Sequence, residues 1–253
     1  MQIREVIDLS LRYYGKTSLQ VGNALLELSA VISEQDRLAE SELLAQTALE
    51  IYRNVGASSS SLSVIKARRQ LAKYLIGEKK YEEADKAFTE IETSLNDSQT
   101  DRKKIELNEV DWVIAKIKVG KADQALAMAT RLLTQAKKQS NPSEKRIAAL
   151  EVLNAFANQA SGNIEQAHVL YRKFLPTLME SLIGDSETVS VGNREQDRFK
   201  TYLEGYIGVL NSLKQTAHSP AVKSQYAEEA FTIADVVRGS GVQKSLTASA
   251  ARA

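Results

Sequence analysis

The chain has 253 residues, 43% hydrophobic and 26% charged, and its 33 basic and 32 acidic side chains leave a net charge of +1. That balance suits a folded chain and lacks the basic excess that nucleic-acid binding requires. It has no cysteine, which excludes disulfides, thiolate metal sites and a cysteine nucleophile from within it, and no apolar run is long enough to span a membrane.

Helix formers dominate: Ala, Leu, Glu, Lys and Gln are abundant and there are only 3 prolines. Apolar residues recur at three- and four-residue steps, and strand-like alternation is nearly absent. A first helix is predicted over 2–14; its start, Met1-Gln2-Ile3-Arg4-Glu5, lacks the apolar core of a signal peptide. Five helix pairs follow: 18–34 with 36–54, 60–77 with 80–95, 100–119 with 121–139, 143–161 with 163–183, and 195–216 with 220–238. The last helix is expected to run on toward 253. Turn chemistry separates these elements at Gly15-Lys16-Thr17-Ser18, Gly56-Ala57-Ser58, Asn96-Asp97, Gly120, Ser140-Asn141-Pro142-Ser143, Gly162-Asn163 and Ser219-Pro220. The longest irregular stretch, Gly184 to Arg194, reads as a surface loop.

The pairs repeat. Ser18-Leu19-Gln20-Val21 recurs 43 residues later as Ser61-Leu62-Ser63-Val64, and Leu28-Ser29 as Leu71-Ala72. The second helices carry small or larger residues in a common register: Ser41/Ala45/Ala48, Ala84/Phe88/Ile91, Ala125/Ala129/Leu132, Ala167/Tyr171/Phe174 and Ala227/Phe231/Ala234. The first four sets lie 43, 41 and 42 residues apart. Fixed-period self-similarity of this kind signals stacked repeats, which present surfaces more often than catalytic pockets.

The second pair, with Leu71, Ala72, Leu75, Tyr81, Ala84 and Phe88, resembles the tetratricopeptide (TPR) family, and the turn Gly162-Asn163-Ile164 before Ala167 fits as well. The period near 42 exceeds the usual one and is similar to the longer repeats of kinesin light chains. The departures are Ser41 in place of Ala, Trp112-Val113 without the small residue, and polar Asn154 at a usually apolar place. The resemblance covers nearly the whole chain and implies an all-α fold. It would be a right-handed α-α superhelix of about five helix pairs plus the N-terminal helix, forming one solenoid over 1–253. Its repeats would span about 18–55, 60–97, 100–139, 143–184 and 195–238, with a helical extension over 239–253.

The segment from Ala227 through Phe231, Ala234 and Arg238-Gly239 into Ser240-Gly241-Val242 and the Ala/Ser-rich end resembles the last repeat of bacterial CHAT-domain proteins. There the helix leads to a caspase-like peptidase. The resemblance implies a non-catalytic repeat arm whose peptidase lies elsewhere in the same polypeptide. The apolar stripe Ala234, Val237, Leu246 and Ala250 leads to the same expectation: a truncated chain, or a terminus covered by another subunit.

Candidate chemistry is sparse. Glu165-Gln166-Ala167-His168 matches a Glu-x-x-His pair, but a di-iron site needs a second copy and two more glutamates, and His168 reads as a surface histidine. Gly239-Ser240-Gly241-Val242-Gln243-Lys244-Ser245 has phosphate-loop residue types without the required gap, after a helix rather than a strand. Glu82-Glu83 and Glu228-Glu229 occupy successive rather than facing positions. No metal, cofactor or catalytic residue is therefore expected. Lys66, Arg69 and Lys73 form one basic stripe at helical spacing, and in the resembled family they occupy positions that face a concave groove. They would suit a ligand carboxylate or phosphate, or they are a solvated helix face. Val110, Ile114 and Ile117 would add an apolar groove floor, or pack between repeats. The expected partner is a protein or peptide, with no nucleic acid and no membrane. The rival readings are a self-assembling structural module and a metal-binding helical enzyme. The cytoplasm is favoured as compartment, and the periplasm stays open.

Overall fold

The computed structural model describes residues 3–97, 109–186 and 193–250; the side chains of 3–4, 6–8, 10, 97, 181–186, 193–194 and 240–250 lie outside that description. Eleven helices make up the regular structure of the described residues. They are α1 (Ile3–Tyr14), α2 (Leu19–Glu34), α3 (Leu38–Asn54), α4 (Leu62–Gly77), α5 (Tyr81–Asp97), α6 (Val110–Lys118), α7 (Ala122–Lys137), α8 (Glu144–Ala160), α9 (Ile164–Ser186), α10 (Asn193–Thr216) and α11 (Pro220–Ala250). Among the described residues the fold is all-α, as the three- and four-residue periodicity predicts, and consecutive helices pack in the TPR-like pairs that the family resemblance implies. It divides into two compact units, 1–119 and 120–253, each with its own core.

Short polar signals start the helices. Ser18 and Ser61 are extended N-caps whose hydroxyls accept from the Val21 and Val64 N–H groups at 3.3 and 3.5 Å. The recurring Ser-Leu-x-Val is thus a cap followed by the first buried position of a first helix. Ser143 caps α8 in the same way, accepting from the Arg146 N–H at 3.3 Å.

The turns after α2, α4, α6 and α8 share one device. Asp36, Lys79, Gly120 and Gly162 all take a left-handed backbone, with φ of 61°, 62°, 78° and 82°. These positions are 43, 41 and 42 residues apart, the spacing of the second-helix sets. The Lys80 N–H then reaches back to the Leu75 carbonyl at 2.8 Å and the Asn163 N–H to Asn158 at 2.9 Å, which occupies the last free carbonyls of the helix.

In the first unit, α4 packs against α2, α3, α5 and α6. Ala48, Tyr52, Val64 and Ala67 form one core cluster, and Leu75, Ala84 and Ala115 another. The α2–α3 approach depends on Gly22: a Cβ there would stand 2.6 Å from the Tyr52 ring. Tyr52, fully buried, donates to Asn23 Oδ1 at 2.6 Å, and burial followed by the nearby Glu27 pushes its pKa up to about 12. Phe88 of α5 stacks on Trp112 of α6 with ring centroids 5.6 Å apart. The Trp112 indole donates to Asp85 Oδ1 at 2.7 Å, Lys116 lies 3.2 Å from the same oxygen, and its ammonium sits 4.7 Å from the indole centroid.

In the second unit, α8 packs against α7, α9 and α10, and α10 also against α9 and α11. Ten consecutive-turn residues of α8, including Leu153 and Phe156, are buried. Tyr171 of α9 stacks on Tyr206 of α10 at 4.8 Å. Gly205 lets the Tyr171 hydroxyl and Phe156 come close, since a Cβ there would meet them at 2.7 and 2.8 Å.

Some expectations change. In the described residues α6 begins at Val110 rather than near 100, and 98–108 lie outside the description, as do 187–192 of the expected surface loop. The described ends of that loop are helical: α9 runs to Ser186 and α10 starts at Asn193. The fifth set does not repeat the burial of the others. Phe231 is 64% exposed, while Ala230 and Ile233 are buried. The face of α11 turned to α10 is therefore one position back, because Glu229 meets the Tyr206 hydroxyl. Gly239 to Ser245 lie inside the α11 helix, which leaves no phosphate loop.

Candidate interaction surface

The α4 sequence Leu62–Gly77 contains Lys66, Arg68, Arg69 and Lys73 and no acidic residue. Six of its apolar residues, Val64, Ile65, Ala67, Ala72, Tyr74 and Leu75, are buried, which turns the basic residues outward. Lys66 is exposed, and Arg69 and Lys73 are half-buried. Their carboxylate partner comes from another helix. Glu109, the extended residue that precedes α6, lies 2.6 Å from Arg69 Nε and 3.8 Å from Lys73 Nζ. Arg68 turns instead to Glu90 at 3.4 Å and Ser94 at 3.2 Å on α5.

Arg69 and Lys73, one turn apart on α4, thus converge on a single carboxylate at the start of α6. Lys66 continues the stripe one turn before Arg69. The α6 residues divide: Val110 and Ile117 are half-buried, and Ile114 is only 3% exposed. Ile114 therefore offers little surface to a ligand, and Val110 and Ile117 more. Glu109 escaped the sequence reading because a helix predicted from 100 put it mid-helix. The acid directly before the apolar run Val110-Asp111-Trp112-Val113 was the available signal.

His168 is not the surface histidine expected. Its ring stacks on Tyr206 at 6.0 Å and meets Tyr226 edge-on at 5.7 Å, and its Nδ1 is buried without a hydrogen-bond partner. Burial holds its pKa below the ordinary 6.5; the Glu229 charge works against that and Arg172 adds to it. Tyr206 donates to the Glu229 carboxylate, and burial with that hydrogen bond raises its own pKa far above the usual phenol range. Glu165, the other half of the Glu-x-x-His match, is exposed. Among the described residues no group of His, Asp and Glu is placed to hold a metal ion, and none of their helices is long and apolar enough to cross a membrane.

No family model matches the chain, and no curated protein does. Solved structures do. The chain is similar to a Podosopora anserina protein described as a kinesin light chain with nearly identical TPR-like repeats. The TM-score is 0.54 at 14% identity, over 71% of this chain and 85% of that one. A substituted form of the same protein matches at TM-score 0.55 with the same identity and coverage. BtubC (BKLC) from P. vanneervenii matches at 0.54 and 14% identity, over 72% of each chain. At this identity the likeness concerns the helix-pair fold.

Proposed function

We propose that this chain is a non-catalytic scaffold that binds a protein or peptide, and that the α4 stripe of Lys66, Arg69 and Lys73 takes an acidic or phosphorylated segment of that partner. One observation carries the reading: Arg69 and Lys73 are spaced so that one carboxylate, that of Glu109, reaches both. Groups so placed can hold a ligand carboxylate or phosphate by charge-assisted hydrogen bonds. The side chains are partly buried, Arg69 25%, Lys73 22% and Glu109 12% exposed, so a ligand anion would reach the two cations by displacing or joining the Glu109 carboxylate. Val110 and Ile117 supply apolar contact beside it, with Ile114 beneath. Fold alone does not assign function, and the surface chemistry supports this reading.

An array of peptides screened with wild type and with Arg69→Glu/Lys73→Glu tests it. Acidic peptides should bind wild type and be lost from the variant at unchanged helicity. A variant that also carries Glu109→Lys restores the ion pair with the charges inverted, and it should bind basic peptides instead. Identical array patterns for all three proteins would remove the α4 assignment.

The resemblance of the Ala227 to Gly239 segment to CHAT-domain proteins supports a finer reading, in which this scaffold is the docking arm of a peptidase in the same polypeptide. The reading frame that encodes the chain tests it: a His/Cys peptidase downstream fits, and its absence would discard the idea.

A further inference from the structure

Glu109 stands where a ligand anion would. It is the N-cap residue of α6: the Trp112 N–H donates to its carbonyl at 3.1 Å, but its side chain makes no cap hydrogen bond. The carboxylate is turned instead to α4, 2.6 Å from Arg69 Nε and 3.8 Å from Lys73 Nζ. The α4 helix carries no acid of its own, so this counter-charge reaches its stripe from α6. A carboxylate fixed on the same chain competes with any carboxylate that a ligand brings. A tethered group acts at an effective concentration of about millimolar, so a ligand that exchanges one carboxylate for another replaces like with like and gains little. A phosphomonoester differs. At neutral pH it carries a charge of about −1.5 to −2 and has more acceptor oxygens than a carboxylate. It can accept a forked pair of hydrogen bonds from the Arg69 guanidinium and a further one from Lys73. Lys66, exposed and three residues before Arg69, lies on the same face and adds another cation.

We propose that Glu109 is an internal competitor for the Arg69–Lys73 pair, and that the peptide segment which displaces it is phosphorylated. The proposal rests on the reading that the α4 stripe takes the partner's anion, and it narrows that reading to one chemistry. A resident carboxylate lowers the affinity of every incoming anion by one factor. A phosphorylated side chain, with its greater charge, still binds, and a single acidic side chain binds only weakly. Val110 and Ile117, half-buried and two turns apart on α6, offer apolar contact that a peptide uses and a free phosphate ion does not.

Three synthetic peptide libraries, identical apart from a fixed central serine, glutamate or phosphoserine, test the proposal by their retention on the immobilised protein. Wild type should hold the phosphoserine library about tenfold more strongly than the glutamate library, with serine lowest. Glu109→Gln should raise retention of both anionic libraries several-fold and by a similar factor, because the competitor common to both is gone. Arg69→Gln with Lys73→Gln should reduce both to the serine level, with circular dichroism unchanged in every variant. Equal retention of glutamate and phosphoserine by wild type overturns the phosphate assignment and leaves the α4 reading standing. Retention that Glu109→Gln does not move overturns the competition. A wild type that holds neither anionic library above the serine one overturns this proposal and the α4 reading together. Inorganic phosphate, or phosphatidylcholine vesicles containing a phosphatidylinositol phosphate, bound as tightly as the phosphoserine library would overturn the assignment to a peptide.

Discussion

The α5–α6 joint of the first unit and the α9–α10 joint of the second solve one packing problem with opposite chemistry. Each begins with a small residue, Ala84 or Ala167, and an aromatic four residues on. In the first unit the aromatic stack is tied to a buried carboxylate: Asp85, 3% exposed, serves the Trp112 indole and the Lys116 ammonium together. In the second unit phenols and an imidazole fill the same place, and the Glu229 carboxylate accepts from Tyr206. The shared spacing secures helix approach, and the residues behind it decide how each joint responds to substitution and to pH.

Substitutions at the charge pair should separate the two joints most strongly. Asp85→Ala removes the acceptor that Trp112 uses and the counter-charge that Lys116 uses, and should cost about 3–5 kcal/mol in urea denaturation followed by fluorescence of the single tryptophan. Asp85→Leu with Lys116→Met should recover the part of that loss due to the unpaired ammonium and leave the part due to the Trp112 N–H, which still lacks its acceptor. A double variant as weak as the single would show that the Trp112 hydrogen bond, and not the charge pair, carries the joint.

In the second joint the two tyrosines should behave differently. Tyr206→Phe deletes a hydrogen bond to a carboxylate and should cost about 2 kcal/mol. Tyr171→Phe deletes a buried hydroxyl with no hydrogen-bond partner and should be neutral or stabilising by up to about 1 kcal/mol. Equal losses at both would contradict the partner assignment. The turns give a smaller contrast. Gly162 meets its left-handed backbone freely, whereas Lys79 does not. Lys79→Gly should therefore raise the melting temperature, by relief of about 1 kcal/mol, if the φ of 62° persists.

The smallest effect expected is that of pH. Burial disfavours the His168 imidazolium, so its folded pKa lies below 6.5. Between the two values the unfolded chain binds the additional proton. Stability of the α9–α11 packing is then full above about 6.5 and is lost as pH falls through that window. The groups facing His168 are Glu229, Arg172, Tyr206 and Tyr226. His168→Phe should flatten the dependence of melting temperature on pH between 7.5 and 5.5, and an unchanged slope would place the titrating group elsewhere.

Much of the frame was legible in the sequence because it rests on local chemistry. Ser18 and Ser61 cap, Gly120 and Gly162 turn, and the Ala84/Phe88 and Ala167/Tyr171 sets lie buried as their spacing predicts. Asp36 and Lys79 were missed as turn residues, since neither side chain announces a left-handed backbone. Phe231 shares the register of Phe88 and Tyr171 yet is 64% exposed, because burial depends on which helix lies against a face and periodicity does not give that. His168 reads as a surface residue in isolation; only the fold brings Tyr206 and Tyr226, 38 and 58 residues away, against its ring. In the candidate site, Lys66, Arg69 and Lys73 were visible as a stripe. Their convergence on Glu109 was not, because it joins two helices across 36 residues or more.

A partner held by the α4 stripe would touch α4 and the start of α6 and leave α9–α11 untouched. Hydrogen exchange of the protein with and without an acidic peptide selected on the array addresses this most directly. Added protection confined to α4 and the start of α6, with α9–α11 unchanged, is the result the scaffold account predicts. Protection appearing in α9–α11 instead, or nowhere, would contradict it.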